Sequence, residues 1–134
     1  MGVEIEYQVL RSGYALCPYY TLDNEEGVRV FVALDQDPAW RRRPRPVGHY
    51  VSTGWIPGNL LSEGTMVVGA AMKTEEPSLL HFYEPDAAAF QVIDSRDGNS
   101  ARGDFSGHLP GIVRPLLNWT TRFLQTSSPT SRQT

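Results

Sequence analysis

The sequence predicts an all-β protein, an antiparallel sandwich of two sheets with about eight short strands. Short segments rich in alternating apolar and polar residues recur along the chain, glycine and proline turns separate them, and no segment shows a convincing helical periodicity. A length of 134 residues suits one domain with a sizeable core. We expect residues 1–125 to form the sandwich and residues 126–134, which are rich in Ser and Thr, to form a flexible tail.

The centre of the chain, residues 48–73, predicts a strand, a corner and a second strand. Residues 48–55 are rich in β-branched and aromatic side chains, which a half-buried strand prefers. The corner follows at Ile56-Pro57-Gly58-Asn59, where a proline that donates no hydrogen bond precedes two residues that tolerate positive φ. Residues 65–72 are apolar at nearly every position. We therefore expect that second strand to be covered on both faces.

Three strands are predicted before this centre, at residues 3–10, 15–22 and 28–35. Residues 36–47 form a loop, because the stretch 40–46 holds four arginines and two prolines. The arginines could grip a phosphate or an acidic sugar through bidentate contacts. A solvated loop is the interpretation that we favour from the sequence.

Three more strands are predicted after the centre, at residues 79–83, 89–95 and 112–119, with a long irregular loop at 96–110. The last strand is too apolar to remain exposed, and we therefore expect it to pair with a sheet of its own chain or of a neighbouring copy.

Composition excludes several function classes. A net charge of −3 and a pI near 5.5 argue against nucleic-acid binding. Cys17 is the one cysteine and forms no intrachain disulfide, which suits a reducing compartment. His49, His81 and His108 lack ligands at metal spacing, so we expect neither a metal nor another cofactor. The chain has no P-loop, no apolar run near 18 residues and no signal segment, and we expect no catalytic activity and no membrane span.

Several short motifs, each weak alone, occur together in a characteristic order. They are Asn24-x-x-Gly27-x-x-Val30-Phe31, Gly48-x-Tyr50-x-Ser52, Ile56-Pro57-Gly58-Asn59-Leu60-Leu61-x-Glu63-Gly64, Phe90-x-Val92-x-Asp94 with Ala101-Arg102-Gly103, and Gly111-Ile112-Val113-Arg114-Pro115-x-Leu117-x-Trp119. The pattern resembles the C-terminal domain of Wzt-type proteins, the ATP-binding subunits of bacterial ABC exporters for O-antigen and related polysaccharides. The resemblance covers nearly the whole chain from Val3 to Trp119.

The resemblance implies an immunoglobulin-like β-sandwich that binds the exported, lipid-linked glycan on the cytoplasmic side and has no catalytic activity of its own. It implies a homodimer with exchanged C-terminal strands, and partnership with the nucleotide-binding domain and membrane subunit of an exporter at the inner membrane. In that family an earlier strand and a linker from the ATPase domain usually precede the equivalent of Val3. Whether an ATPase domain is attached to this chain is left open.

Glycan binding needs aromatic rings against sugar C–H surfaces and planar polar groups against hydroxyls. On alternating strands, the residues expected to face away from the core include Arg29, His81, Tyr83 and Gln91, and we name these four as the candidate carbohydrate-binding residues. The alternative is a purely structural dimerisation sandwich without a ligand site, in which these are scattered surface residues. A catalytic role would need a pair of carboxylates across a cleft.

Overall fold

The computed structural model describes residues 1–93, 101 and 105–124, and these contain six strands and no helix. All strand pairs are antiparallel and form a two-stranded sheet, β1-β4, and a four-stranded sheet, β3-β2-β5-β6. The predicted all-β antiparallel sandwich is therefore confirmed. The strands are β1 (Gly2–Val9), β2 (Leu16–Asn24), β3 (Arg29–Leu34), β4 (Gly48–Trp55), β5 (Gly64–Thr74) and β6 (Leu79–Val92).

The core lies between the two sheets and contains buried side chains from both. Alternation along β1 turns Ile5 inward, while the even-numbered residues of β2 and β5 face it from the other sheet. Gly54 of β4 lets the ring of Tyr20 approach the opposite sheet, since a Cβ at Gly54 would lie 2.6 Å from that ring. The buried core residues are Ile5, Tyr20, Leu22, Ile56, Leu61, Met66 and Val68.

The predicted corner is present, and the second strand, β5, has buried residues on both faces, although Thr65, Val67, Ala70 and Lys73 are only half-buried. Asn59 adopts a φ of 63° in the turn after β4, and Ile56 turns into the core as the strand ends. In β5, Val68 is buried on the face toward the core, and Ala71 is buried on the opposite face. Because β5 has β2 on one side and β6 on the other, it is an interior strand of its sheet, as its apolar sequence indicates.

The structure joins two of the predicted strands, 79–83 and the first part of 89–95, into the single strand β6. Pro85 does not end the strand because β6 lies at the edge of the sheet, where a missing N–H group is tolerated. The register shifts opposite Gly69, where the Pro85 backbone comes so close that a Cβ at Gly69 would lie 3.2 Å from the Pro85 carbonyl oxygen. Residues 94 and 95 lie outside the described residues.

The predicted strand at 112–119 does not form in the single chain. The segment makes one isolated bridge, between Leu61 and Val113, and Ile112 packs against the core. Beyond it, residues 115–124, here called the C-terminal arm, are exposed and belong to no strand. Of the two alternatives that the sequence left open, pairing within the same chain is limited to backbone hydrogen bonds from Ser62 N to the Ile112 carbonyl and from Arg114 N to the Leu60 carbonyl. Pairing with a second copy stays a prediction. The predicted tail, 126–134, lies outside the described residues.

Candidate functional site

One face of the four-stranded sheet is turned away from the core and is here called the outer face. Cross-strand partners project to the same side of a sheet, so the register fixes which residues share it. Tyr19 lies opposite Ala71, which lies opposite Tyr83, and Thr65 lies opposite Gln91. The polar and aromatic residues that this register places on the outer face are Tyr19, Thr21, Asp23, Arg29, Thr65, Lys73, Tyr83 and Gln91.

Three of the four candidate carbohydrate-binding residues therefore share a face. Arg29 lies on β3, and Tyr83 and Gln91 lie on β6. His81 does not join them, because the register shift at Met72/Lys73 makes it the extra residue between the paired positions Leu80 and Phe82. Its Nε2 lies 2.6 Å from the Oγ1 of the buried Thr74, and its ring meets that of Tyr14 edge-on at 5.5 Å.

Arg29 is held in place by a carboxylate on the neighbouring strand. Its Nε donates a hydrogen bond of 2.5 Å to Oδ1 of Asp23. This hydrogen bond raises the pKa of Arg29 above its usual value, and the phenol of Tyr83 adds smaller contributions in the same direction. An exposed pair of this kind adds little stability. Its effect is to orient a guanidinium and a carboxylate, a donor and an acceptor, next to each other on the outer face.

Tyr19 and Lys73 were not among the sequence candidates. The Lys73 ammonium lies 5.8 Å from the centre of the Tyr19 ring, a cation–π distance, and 3.6 Å from Oε1 of Glu75. The two adjacent tyrosines, 19 and 20, face opposite ways, since Tyr20 belongs to the core. The signal that would have found Tyr19 is the alternation along β2, once the core side of that strand is known.

The loop at 36–47, here called the arginine loop, is not solvated throughout. Arg45 is 2% exposed, and its guanidinium donates hydrogen bonds to the hydroxyl oxygens of Tyr7 and Ser52 and, at 3.0 Å, to Oδ2 of Asp35. Trp40 packs on the Arg45 guanidinium at 5.7 Å. The favoured interpretation of this loop is therefore wrong at Arg45, because polar partners from β1, β4 and the end of β3 compensate its burial.

A cavity of ≈ 510 Å³ lies at the end of the sandwich where the arginine loop meets the start of β2 and the turn after β5, and is here called the end cavity. Cys17 lines it, and burial raises the pKa of this thiol, which favours the protonated, unreactive form. The charged residues that line it are Asp35, Arg41, Arg42, Arg45, Glu75 and Glu76.

No metal constellation occurs in residues 1–93, 101 and 105–124, where no group of three or more His, Cys, Asp or Glu side chains could hold an ion. Within the same residues, no helix is long and apolar enough to cross a membrane.

These features define a β-sandwich with a polar and aromatic outer face on its larger sheet. Among solved structures, the fold is similar to that in the crystal structure of the C-terminal domain of wzt, with a TM-score of 0.67 and 10% sequence identity. The match covers 90% of this chain and 69% of that chain, and it confirms, for the fold, the resemblance indicated by the sequence motifs. No family model matches the chain, and no curated protein does.

Proposed function

We propose that this chain is a non-catalytic glycan-recognition domain of a bacterial polysaccharide exporter of the ABC class, binding an O-antigen-like, lipid-linked glycan on the cytoplasmic side of the inner membrane. The observation that carries the proposal is the outer face, which Arg29, Tyr83 and Gln91 share on a Wzt-like fold. In this proposal the nucleotide-binding domain and the membrane subunit of the exporter are its working partners, and the chain itself transfers no group.

The outer face suits a sugar because it combines flat apolar surface with fixed polar groups. Tyr83 is 41% exposed and sits on the edge strand, where a ring can pack on sugar C–H groups. The Arg29 and Asp23 pair offers a donor beside an acceptor, and Gln91 offers both in one amide. In the proposal, Tyr83 supplies the contact area, and the polar side chains select the arrangement of hydroxyl groups.

The second candidate function is a structural dimerisation sandwich without a ligand site. It is favoured by the exposed arm, in which Leu116, Trp119 and Phe123 are 66%, 84% and 91% exposed. Such apolar exposure is costly for a monomer. The two functions are compatible, since an exchanged strand pairs along the edge of a sheet and does not cover its face. We therefore propose a homodimer with exchanged C-terminal strands as the working form.

Calorimetric titration with O-polysaccharide from the organism that encodes the chain tests the proposal. Replacing Tyr83 by alanine removes one stacking ring, worth about 0.5 to 1.5 kcal/mol, and we expect the affinity to fall roughly twofold to tenfold. Trp55→Ala is the matched control, because Trp55 is an aromatic residue 76% exposed on the other sheet. We expect its affinity to match that of the unchanged chain.

Two results would count against the proposed site. If Tyr83→Ala binds the polysaccharide with unchanged affinity and Trp55→Ala binds it more weakly, the binding site lies on the smaller sheet. No binding by the unchanged chain would favour the structural sandwich.

A further inference from the structure

The end cavity contains a buried positive charge that its surroundings do not fully satisfy. The Nη atoms of Arg45 bond Tyr7, Ser52 and Asp35, but its Nε is buried and has no hydrogen-bond partner within the described part of the chain. A buried donor without an acceptor is costly, most of all on a charged group. Because Arg45 lines the cavity, its guanidinium adds a buried positive charge to the cavity wall, next to the carboxylate of Asp35.

Two more arginines border the cavity from the same loop. Arg41 and Arg42 are exposed, and neither forms an ion pair with another of the described residues. Arg42 has a φ of 58°, a left-handed conformation that is uncommon outside glycine. The loop is held there because Arg41 N donates to the Asp37 carbonyl at 2.8 Å and the Trp40 ring packs against Tyr50 at 5.6 Å. The two guanidinium groups thus project from an anchored turn.

The carboxylates that line the cavity indicate that the bound anion also carries hydroxyl groups. Asp35 is paired with Arg45, and Glu75 lies 3.6 Å from the ammonium of Lys73. Glu76 also lines the cavity. Acceptors of this kind bind hydroxyl groups and repel a bare, highly charged anion. The cavity volume of ≈ 510 Å³ lies within the usual range for small-molecule sites.

We propose that the end cavity binds an acidic sugar unit, with its carboxylate or phosphate oxygens on Arg41 and Arg42 over the buried charge of Arg45, and its hydroxyls on Glu75 and Glu76. Cys17 and Glu75 in the cavity each lie two residues from Tyr19 and Lys73 on the outer face, a distance of about 7 Å along a strand. A glycan on the outer face could therefore place its next unit in the cavity. Only the idea that the acidic sugar belongs to an exported glycan rests on the proposed function. The binding site in the end cavity does not depend on it.

Binding of free ligands to the full chain, measured by NMR titration at low salt, tests the cavity separately from polysaccharide recognition. We expect glucuronate and glucose 1-phosphate to bind at least tenfold more tightly than glucose, because glucose lacks the anion, and more tightly than inorganic phosphate, which lacks the hydroxyls. A comparison of the affinities for glucuronate and glucose 1-phosphate shows whether the site prefers a carboxylate or a phosphate. Equal binding of inorganic phosphate and both sugar acids would overturn the assignment to a sugar.

The variant Arg41→Ser/Arg42→Ser is expected to lose at least tenfold in affinity for the tighter of the two acids. Arg43→Ser is the matched control, since Arg43 belongs to the same loop but does not line the cavity. It should bind within twofold of the unchanged chain. A similar loss in both variants would show only diffuse attraction and would overturn the proposal. If the unchanged chain binds the sugar acids but not the polysaccharide, the proposed function is contradicted, whereas the proposed site in the end cavity is supported.

Discussion

Truncation of the chain after Pro110 is expected to abolish both dimerisation and folding. It removes Ile112, which packs against the core, and Arg114, which is 6% exposed and donates hydrogen bonds of 2.5 Å to Glu63 and 2.8 Å to the Leu109 carbonyl. Full burial of a large apolar side chain is worth about 1.5 to 3 kcal/mol, and the half-buried Ile112 contributes part of this amount in addition to the hydrogen bonds of Arg114. Such losses are a substantial part of the stability of a small domain. Sedimentation velocity and circular dichroism would measure the two losses.

A second truncation, after Pro115, separates the arm from the core residues. It keeps Ile112 and Arg114 but removes residues 116–124 of the arm. We expect a folded monomer, because the core contacts remain while the strand offered to the partner is gone. A folded monomer after truncation at Pro110 would contradict the first expectation. A dimer after truncation at Pro115 would show that the arm is not what joins the two copies, and a full-length monomer would exclude strand exchange altogether.

Replacement of Arg45 by alanine is expected to lower the free energy of unfolding by about 3 kcal/mol, the lower end of the range for breaking a buried ion pair. Asp35 is left without its partner, and Tyr7 and Ser52 lose a donor. The loss lies at the low end because the Asp35 side chain is 17% exposed and can regain some water. Urea unfolding at neutral pH would measure it.

Arg43→Ala is the control for this substitution. Arg43 is an exposed residue of the same loop, and its replacement should change the free energy of unfolding by no more than about 0.5 kcal/mol. Equal stability of the two variants would contradict a structural role for Arg45.

The strands were predictable where one local pattern decided the outcome. The alternation along β1 reflects a strand with one buried face, and the run of apolar residues in β5 reflects a strand with buried residues on both faces. The corner at Ile56-Pro57 was predictable because turn chemistry is local. The same alternation predicts that Arg29, Tyr83 and Gln91 point away from the core, because the prediction needs only the knowledge that one face of each strand is buried.

What the sequence could not show depends on contacts between distant segments. The position of His81 follows from a register shift against β5, and one such shift reverses the face of a side chain. Arg45 is buried because its partners come from three other parts of the chain, although its neighbours in sequence are typical of a solvated loop. Residues 112–119 were expected in a strand because they are apolar, but in their own chain they form only one isolated bridge, between Leu61 and Val113.

Chemical-shift mapping of the chain with O-polysaccharide from its own organism tests glycan recognition most directly. The proposed function predicts saturable shifts of the amides around Tyr83, Gln91 and Arg29 on the outer face, with those around Glu4 and Thr53 on the other sheet unchanged. Shifts confined to the β1-β4 sheet, or none at a saturating concentration of polysaccharide, would contradict it.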